Sequence, residues 1–152
     1  MENKKFIIAG EIYIAKEPTM IATVLGSCVA ICLYDRMLKV SAMNHYLLPL
    51  WNGNGIQSPR FGNLAIPKMI ELMQKNGSVA SQLEAKIFGG AQGIDTRLES
   101  MMIGKKNIII AKEILSDYGI NIVAEDAGGR HGRKIMMDSV SGKIKMKYTS
   151  KD

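Results

Sequence analysis

The sequence predicts an α/β fold of the α+β type, with mixed, largely antiparallel β-sheets flanked by helices. Three observations lead there. Short apolar runs rich in Val, Ile, Leu and Tyr are punctuated by turn residues, only two segments carry the three-to-four-residue spacing of an amphipathic helix, and the chain closes with two alternating runs around Ser141-Gly142. The 152 residues, 47% of them hydrophobic, suit a single domain over 1–152, because no repeat, low-complexity tract or linker divides them.

At 6–15, Phe6, Ile8, Ile12 and Ile14 alternate around Gly10, as in a half-buried strand with a bend or bulge, and Pro18 closes the run. The segments 23–34 and 39–48 read as strands joined by Asp35-Arg36-Met37-Leu38, a connection short enough for a hairpin. The segment 51–62, with Asn-Gly-Asn-Gly and Ser-Pro, reads as an exposed loop. A helix is expected over 64–75: Asn63 is the candidate N-cap, Pro67 falls near the first turn, Ile66, Met69, Ile70 and Met73 share a face, and Asn76-Gly77 ends it. A buried strand at 85–88 runs into Gly89-Gly90-Ala91. A second helix, 103–118, would bury Ile108, Ala111, Leu115 and Tyr118 before Gly119. The run 120–125 returns as a strand, and 134–138 pairs with 143–148 as a hairpin.

Composition excludes several classes of function. No window approaches the roughly 18 to 20 apolar residues of a bilayer-spanning helix, and the first ten residues do not make a signal peptide, so a cytoplasmic protein without membrane insertion is expected. Two cysteines suit a reducing compartment. On one strand Cys28 and Cys32 would lie about 13 Å apart, too far for a bridge. They also lack the further ligands of a zinc site, so no metal or cofactor is expected. The formal charge of +6 is spread among acids, only 128–134 is locally basic, and aromatics are few, which disfavours a nucleic-acid partner. Neither Gly89-Gly90 nor Gly128-Gly129 continues into the Gly-Lys-Ser/Thr of a phosphate loop, and His131 sits in an ordinary basic loop.

The candidate chemistry lies in the hairpin. If it is symmetric about Arg36 and Met37, residues whose numbers sum to 73 face each other. Cys28 then opposes His45 on the same face, with β-carbons about 4.5 to 5.5 Å apart. Gly26-Ser27 precedes the thiol, where a glycine can turn amide N–H groups toward a reacting carbonyl oxygen as an oxyanion or substrate-binding turn. A thiol beside a histidine is a candidate nucleophile and proton carrier. On pattern alone, an unpaired Cys28 within an apolar run reads as an inert small hydrophobe, and Cys32, in a still more apolar context, reads as structural.

Longer motifs carry a resemblance. Thr23-Val24-Leu25-Gly26-Ser27-Cys28-Val29-Ala30-Ile31-Cys32-Leu33-Tyr34-Asp35, followed by Met43-Asn44-His45-Tyr46-Leu47-Leu48-Pro49, resembles the signature of the CheD family of chemoreceptor glutamine deamidases. Arg60-Phe61-Gly62, Ala85-Lys86-Ile87-Phe88-Gly89-Gly90-Ala91, Ile103-Gly104 with Asn107, and Asp126-Ala127-Gly128-Gly129 with Gly132-Arg133-Lys134 follow in the family's order, so the likeness runs from Gly10 to Lys147. Ser41-Ala42, Pro67 and Gln92-Gly93 depart from its usual choices. The resemblance implies a fold similar to deamidating-toxin cysteine hydrolases and the conversion of glutamines of methyl-accepting chemoreceptors to glutamates without a cofactor. It implies Cys28 as nucleophile, His45 as general acid/base and Thr23 as third catalytic member, orienting either His45 or the substrate amide. In some members it also implies the phosphatase CheC as a partner. The other class of function compatible with these features is a non-catalytic adaptor for CheC or a chemoreceptor.

Overall fold

In the computed structural model, which describes residues 3–92 and 102–149, β-branched and aromatic runs form nine strands in two mixed sheets. The first sheet has the order β1-β3-β8-β9, from β1 (Asn3–Phe6), β3 (Thr19–Leu25), β8 (Arg133–Asp138) and β9 (Ile144–Tyr148). The second has the order β2-β5-β4-β6-β7, from β2 (Ile12–Ala15), β5 (Val40–Asn44), β4 (Val29–Asp35), β6 (Leu83–Gly89) and β7 (Asn121–Ala127). Only β1–β3 and β6–β7 pair in parallel, so the expected α+β class with largely antiparallel sheets is the observed one. Two helices, α1 (Gly62–Lys75) and α2 (Ile103–Asp117), flank the second sheet. Among the described residues no helix is long and apolar enough to cross a membrane.

Strand alternation divides the core into two layers. Val29, Ile31 and Leu33 of β4 point to the helices, where they meet Ala65, Ile66, Met69, Ile70 and Met73 of α1 and Ala111 and Leu115 of α2. Ala30 and Cys32 point the other way, into a core shared with Ile21, Leu25, Ile135 and Met137 of the first sheet. The apolar face expected of 64–75 is therefore the buried one. Of the face expected for 103–118, Ala111 and Leu115 are buried, Ile108 is partly buried and Tyr118 is 41% exposed. The buried stripe runs instead through Gly104, Asn107, Ala111 and Leu115.

Three expectations change. The runs 6–15 and 23–34 are not single strands: each crosses from the first sheet to the second, at Gly10 (φ +90°) and at Gly26-Ser27-Cys28. Apolar alternation continues through both crossings, so the pattern conceals them. The 64–75 helix starts two residues early, at Gly62, with Phe61 as N-cap, and Asn63 uses its Oδ1 to accept Trp51 N–H at 2.8 Å. The hairpin register also shifts. Asp35 Oδ1 accepts Met37 and Leu38 N–H at 2.9 and 3.0 Å, Lys39 N–H returns to the Asp35 carbonyl, and Lys39 takes φ 55°, making a wider turn. Asp35 then pairs with Val40 and Cys32 with Met43, so numbers sum to 75. Gly93, within the Gln92-Gly93 departure, lies outside the described residues.

Candidate active site

The two-residue change of register preserves faces, because strand side chains alternate with a period of two. Val29 bridges Tyr46, which by count puts Ala30 opposite His45 and leaves Cys28 diagonal to it. Diagonal neighbours are about 7–8 Å apart at the backbone, and among the described residues the side-chain hydrogen bond that His45 makes is to Thr23 and not to the thiol. Cys28 is half-buried against the core between the sheets, the side that Met43 also occupies, and both cysteines carry free thiols.

His45 is set where β5 ends. Asn44 Oδ1 takes the Ile31 N–H at 2.8 Å, replacing a strand partner. The His45 backbone is then held by the Gly10 crossing, with Gly10 N–H donating to the His45 carbonyl at 2.7 Å and His45 N–H to the Glu11 carbonyl at 3.2 Å. Across the sheets, Thr23 Oγ1 lies 2.7 Å from His45 Nδ1 and donates to the Ile7 carbonyl at 2.8 Å. A hydroxyl has one proton, and a carbonyl cannot supply another. Thr23 therefore accepts from Nδ1–H, and Nε2 is the basic nitrogen of the neutral ring. Of the two partners left open for Thr23, the His45 ring is the one it bonds.

The turn at Gly26-Ser27-Cys28 is anchored through three successive carbonyls. Gly26 O accepts Ala91 N–H at 2.9 Å, Cys28 O accepts Gly90 N–H at 2.9 Å, and Ser27 O accepts Asn107 Nδ2–H at 3.0 Å. In a trans peptide the N–H points opposite to the carbonyl, so the Ser27 and Cys28 amides face away from these anchors. Among the described residues neither donates to another residue. Gly26 does not use a left-handed backbone, and a Cβ there would meet nothing within 4 Å. At the end of β6, Gly89 (φ +107°) and Gly90 (φ +70°) do use it, and at Gly89 the chain closes on the Cys28 carbonyl. Arg133, itself buried, braces that loop by donating to the Gly89 and Gly128 carbonyls while paired to Asp126 at 2.8 Å.

Burial pushes the Cys28 thiol above its ordinary 9.0, opposed by a hydrogen bond from its own amide. Burial also lowers His45 below 6.5. At neutral pH the pair rests as thiol and neutral imidazole, rather than as the mutually activated ion pair that proximity alone would suggest. Cys32, fully enclosed, is pushed up to about 12. Among the described residues no group of three or more His, Cys, Asp or Glu side chains gathers to hold a metal.

Sequence reasoning did not assign Asn107 or Arg133 a part in this arrangement. A signal for Asn107 was present: it interrupts an otherwise small or apolar stripe of α2 at three- and four-residue spacing. Nothing local signals the bonds of Arg133, which depend on the tertiary approach of β6.

The fold and this seam define a class: an α+β protein of two packed sheets with a half-buried thiol and an oriented imidazole where the chain crosses between them. The sequence profile of CheD, described as CheD chemotactic sensory transduction, matches residues 47–148. A protein of Sulfurimonas denitrificans named probable chemoreceptor glutamine deamidase CheD is 50% identical over 150 residues, 98% of this chain and 96% of that one. One of the same name from Trichlorobacter lovleyi is 41% identical over 93% of this chain and 88% of its own. The chemoreceptor glutamine deamidase CheD of Thermotoga maritima is 38% identical over 93% of this chain and 89% of its own. The chain belongs to the CheD family.

Proposed function

We propose that this protein deamidates glutamine side chains of chemoreceptors to glutamate, through a thioester on Cys28. The observation that carries the reading is the Thr23–His45 bond, which presents a basic Nε2 on the face of the sheet where Cys28 lies. The names of the relatives supply the substrate class.

The Cys28 thiol gives its proton to His45 Nε2 as sulfur attacks the carboxamide carbon, and the Ser27 and Cys28 amides receive the oxyanion. His45 returns that proton to the amide nitrogen. The C–N bond breaks, ammonia leaves and a glutamyl thioester remains. Water, deprotonated by His45, adds to the thioester. The C–S bond breaks, sulfur recovers its proton, and glutamate is released. Thr23 keeps Nδ1–H engaged, so that Nε2 remains the basic nitrogen throughout. A single domain over 1–152 carries the reaction, which calls on no cofactor. A reducing cytoplasmic compartment suits its two free thiols.

The test is mass spectrometry of a purified chemoreceptor fragment incubated with wild-type protein or Cys28→Ala. A gain of about one dalton at specific glutamines, with equivalent ammonia and only in the wild-type reaction, is the expected result. Unchanged glutamines with both proteins would leave an adaptor for the receptor or CheC as the better reading.

A further inference from the structure

Asn107 is fully buried on α2. Its Nδ2 donates to two carbonyls, Ser27 O at 3.0 Å and Leu47 O at 2.9 Å, while its own backbone carbonyl accepts the Tyr46 hydroxyl at 2.7 Å. Ser27 immediately precedes the thiol, and Leu47 follows His45 by two residues. One side-chain amide thus ties together the two chain segments that carry the reacting groups.

The orientation of that amide is not arbitrary. Both neighbours are carbonyl oxygens, so the nitrogen must face them, and Asn107 Oδ1 is left buried without a partner. The same stripe of α2 continues with Ala111 and Leu115. A position filled for packing alone would not keep a stranded polar oxygen, which is unfavourable in an enclosed site. What the asparagine supplies is two donors at one point. Without the bond to Ser27 O, the middle peptide of the nucleophile turn loses its anchor, and the Cys28 amide is no longer held away from the protein interior.

Resting on the deamidase reading above, we propose that Asn107 is a positioning residue for the reaction: it fixes the separation of the Cys28 and His45 segments and holds the Cys28 amide toward the oxyanion. It touches no reacting atom. The hydrogen bond from the Cys28 amide that opposes the burial effect on the thiol depends on the same peptide orientation, so the thiol's titration should follow Asn107.

The experiment uses the full chain with Asn107→Ala and Asn107→Asp, the latter keeping the shape while setting an acceptor against two carbonyls. Ammonia release from a chemoreceptor fragment gives kcat and KM per folded molecule, and iodoacetamide alkylation of Cys28 across pH gives the thiol's midpoint. Expected for a folded Asn107→Ala are a kcat about 10²-fold lower, a KM within about twofold of wild type, and an alkylation midpoint moved upward. A kcat within about threefold of wild type with an unchanged alkylation midpoint overturns the proposal. If neither variant folds, Asn107→Ser, which retains one donor, decides in the same way. Should wild-type protein release no ammonia, the deamidase reading fails by itself. The alkylation midpoint then still judges Asn107, upholding its hold on the thiol if it moves and refuting it if it does not.

Discussion

Thr23 and His45 meet across the seam between two sheets at 2.7 Å, and the direction of that bond is set by a third group, the Ile7 carbonyl, which takes the only hydroxyl proton. Thr23→Val keeps the shape and removes the acceptor for Nδ1–H. The ring is then free to rotate or to change tautomer, which turns the basic nitrogen from the sulfur. A fall in kcat of about 10²-fold is expected, while Thr23→Ser, which restores the hydroxyl, recovers most of it. Chemical denaturation should show Thr23→Val less stable by about 1–3 kcal/mol, because the Ile7 carbonyl and Nδ1 are left buried and unpaired. Full activity in Thr23→Val would remove Thr23 from the reaction.

The pH dependence follows from two opposed displacements. His45 titrates below 6.5, and as the pH falls through its value the imidazole charges and can no longer take the thiol proton. Cys28 titrates above 9.0, and as the pH rises through its value the pair loses the proton that must reach the leaving nitrogen. The competent form holds one proton between the two groups, so kcat/KM should show an acid limb with its midpoint below pH 6.5 and an alkaline limb with its midpoint above pH 9.0. Initial rates of ammonia release across that range measure it. A limb whose midpoint falls inside the interval would contradict the resting thiol–imidazole pair.

The sequence made the repeating parts of the molecule legible and concealed its crossings. The buried face of α1 could be read from Ile66, Met69, Ile70 and Met73, and the β8–β9 hairpin from its alternation around Ser141-Gly142, because both are local periodicities. Gly26-Ser27-Cys28 looked like the interior of one strand, since Thr23, Leu25 and Val29 continue the apolar run whether or not the chain changes sheets. The hairpin register depended on the Asp35 carboxylate capping a wider turn, an interaction that a symmetric loop count does not contain. Cys28, Thr23 and His45 could be singled out as candidates, but the bonds to Asn107 and Gly90 arise only when α2 and the end of β6 are folded against the Gly26-Ser27-Cys28 turn.

The two thiols should differ sharply in reactivity. Cys28 is half-buried, whereas Cys32 is 1% exposed and is pushed up to about 12. Native protein treated with iodoacetamide at pH near 9 should therefore gain one adduct, mapped by peptide mass spectrometry to Cys28, and lose its activity in step. Denatured protein should gain two. Labelling of Cys32 ahead of Cys28 in the native state would be incompatible with this packing.

Gly89 and Gly26 offer the last contrast, because both lie beside the thiol yet only one has a conformation that requires glycine. Gly89 takes φ +107°, and a Cβ on it would collide with the Cys28 carbonyl oxygen, whose bond to Gly90 N–H anchors the Gly26-Ser27-Cys28 turn. Gly89→Ala must either strain its own backbone or displace that carbonyl, and each route is unfavourable by about 1–3 kcal/mol. A shift of the turn by about 1 Å would cost about 10² in kcat, so the folded fraction should be nearly inactive as well as less stable. At Gly26 the backbone is ordinary and the space open, so Gly26→Ala should fold with a denaturation midpoint close to wild type. Thermal unfolding and ammonia release measured on both variants would separate the two positions. If Gly89→Ala matched Gly26→Ala in stability and kept wild-type turnover, the close approach of β6 to Cys28 would have no part in holding the site.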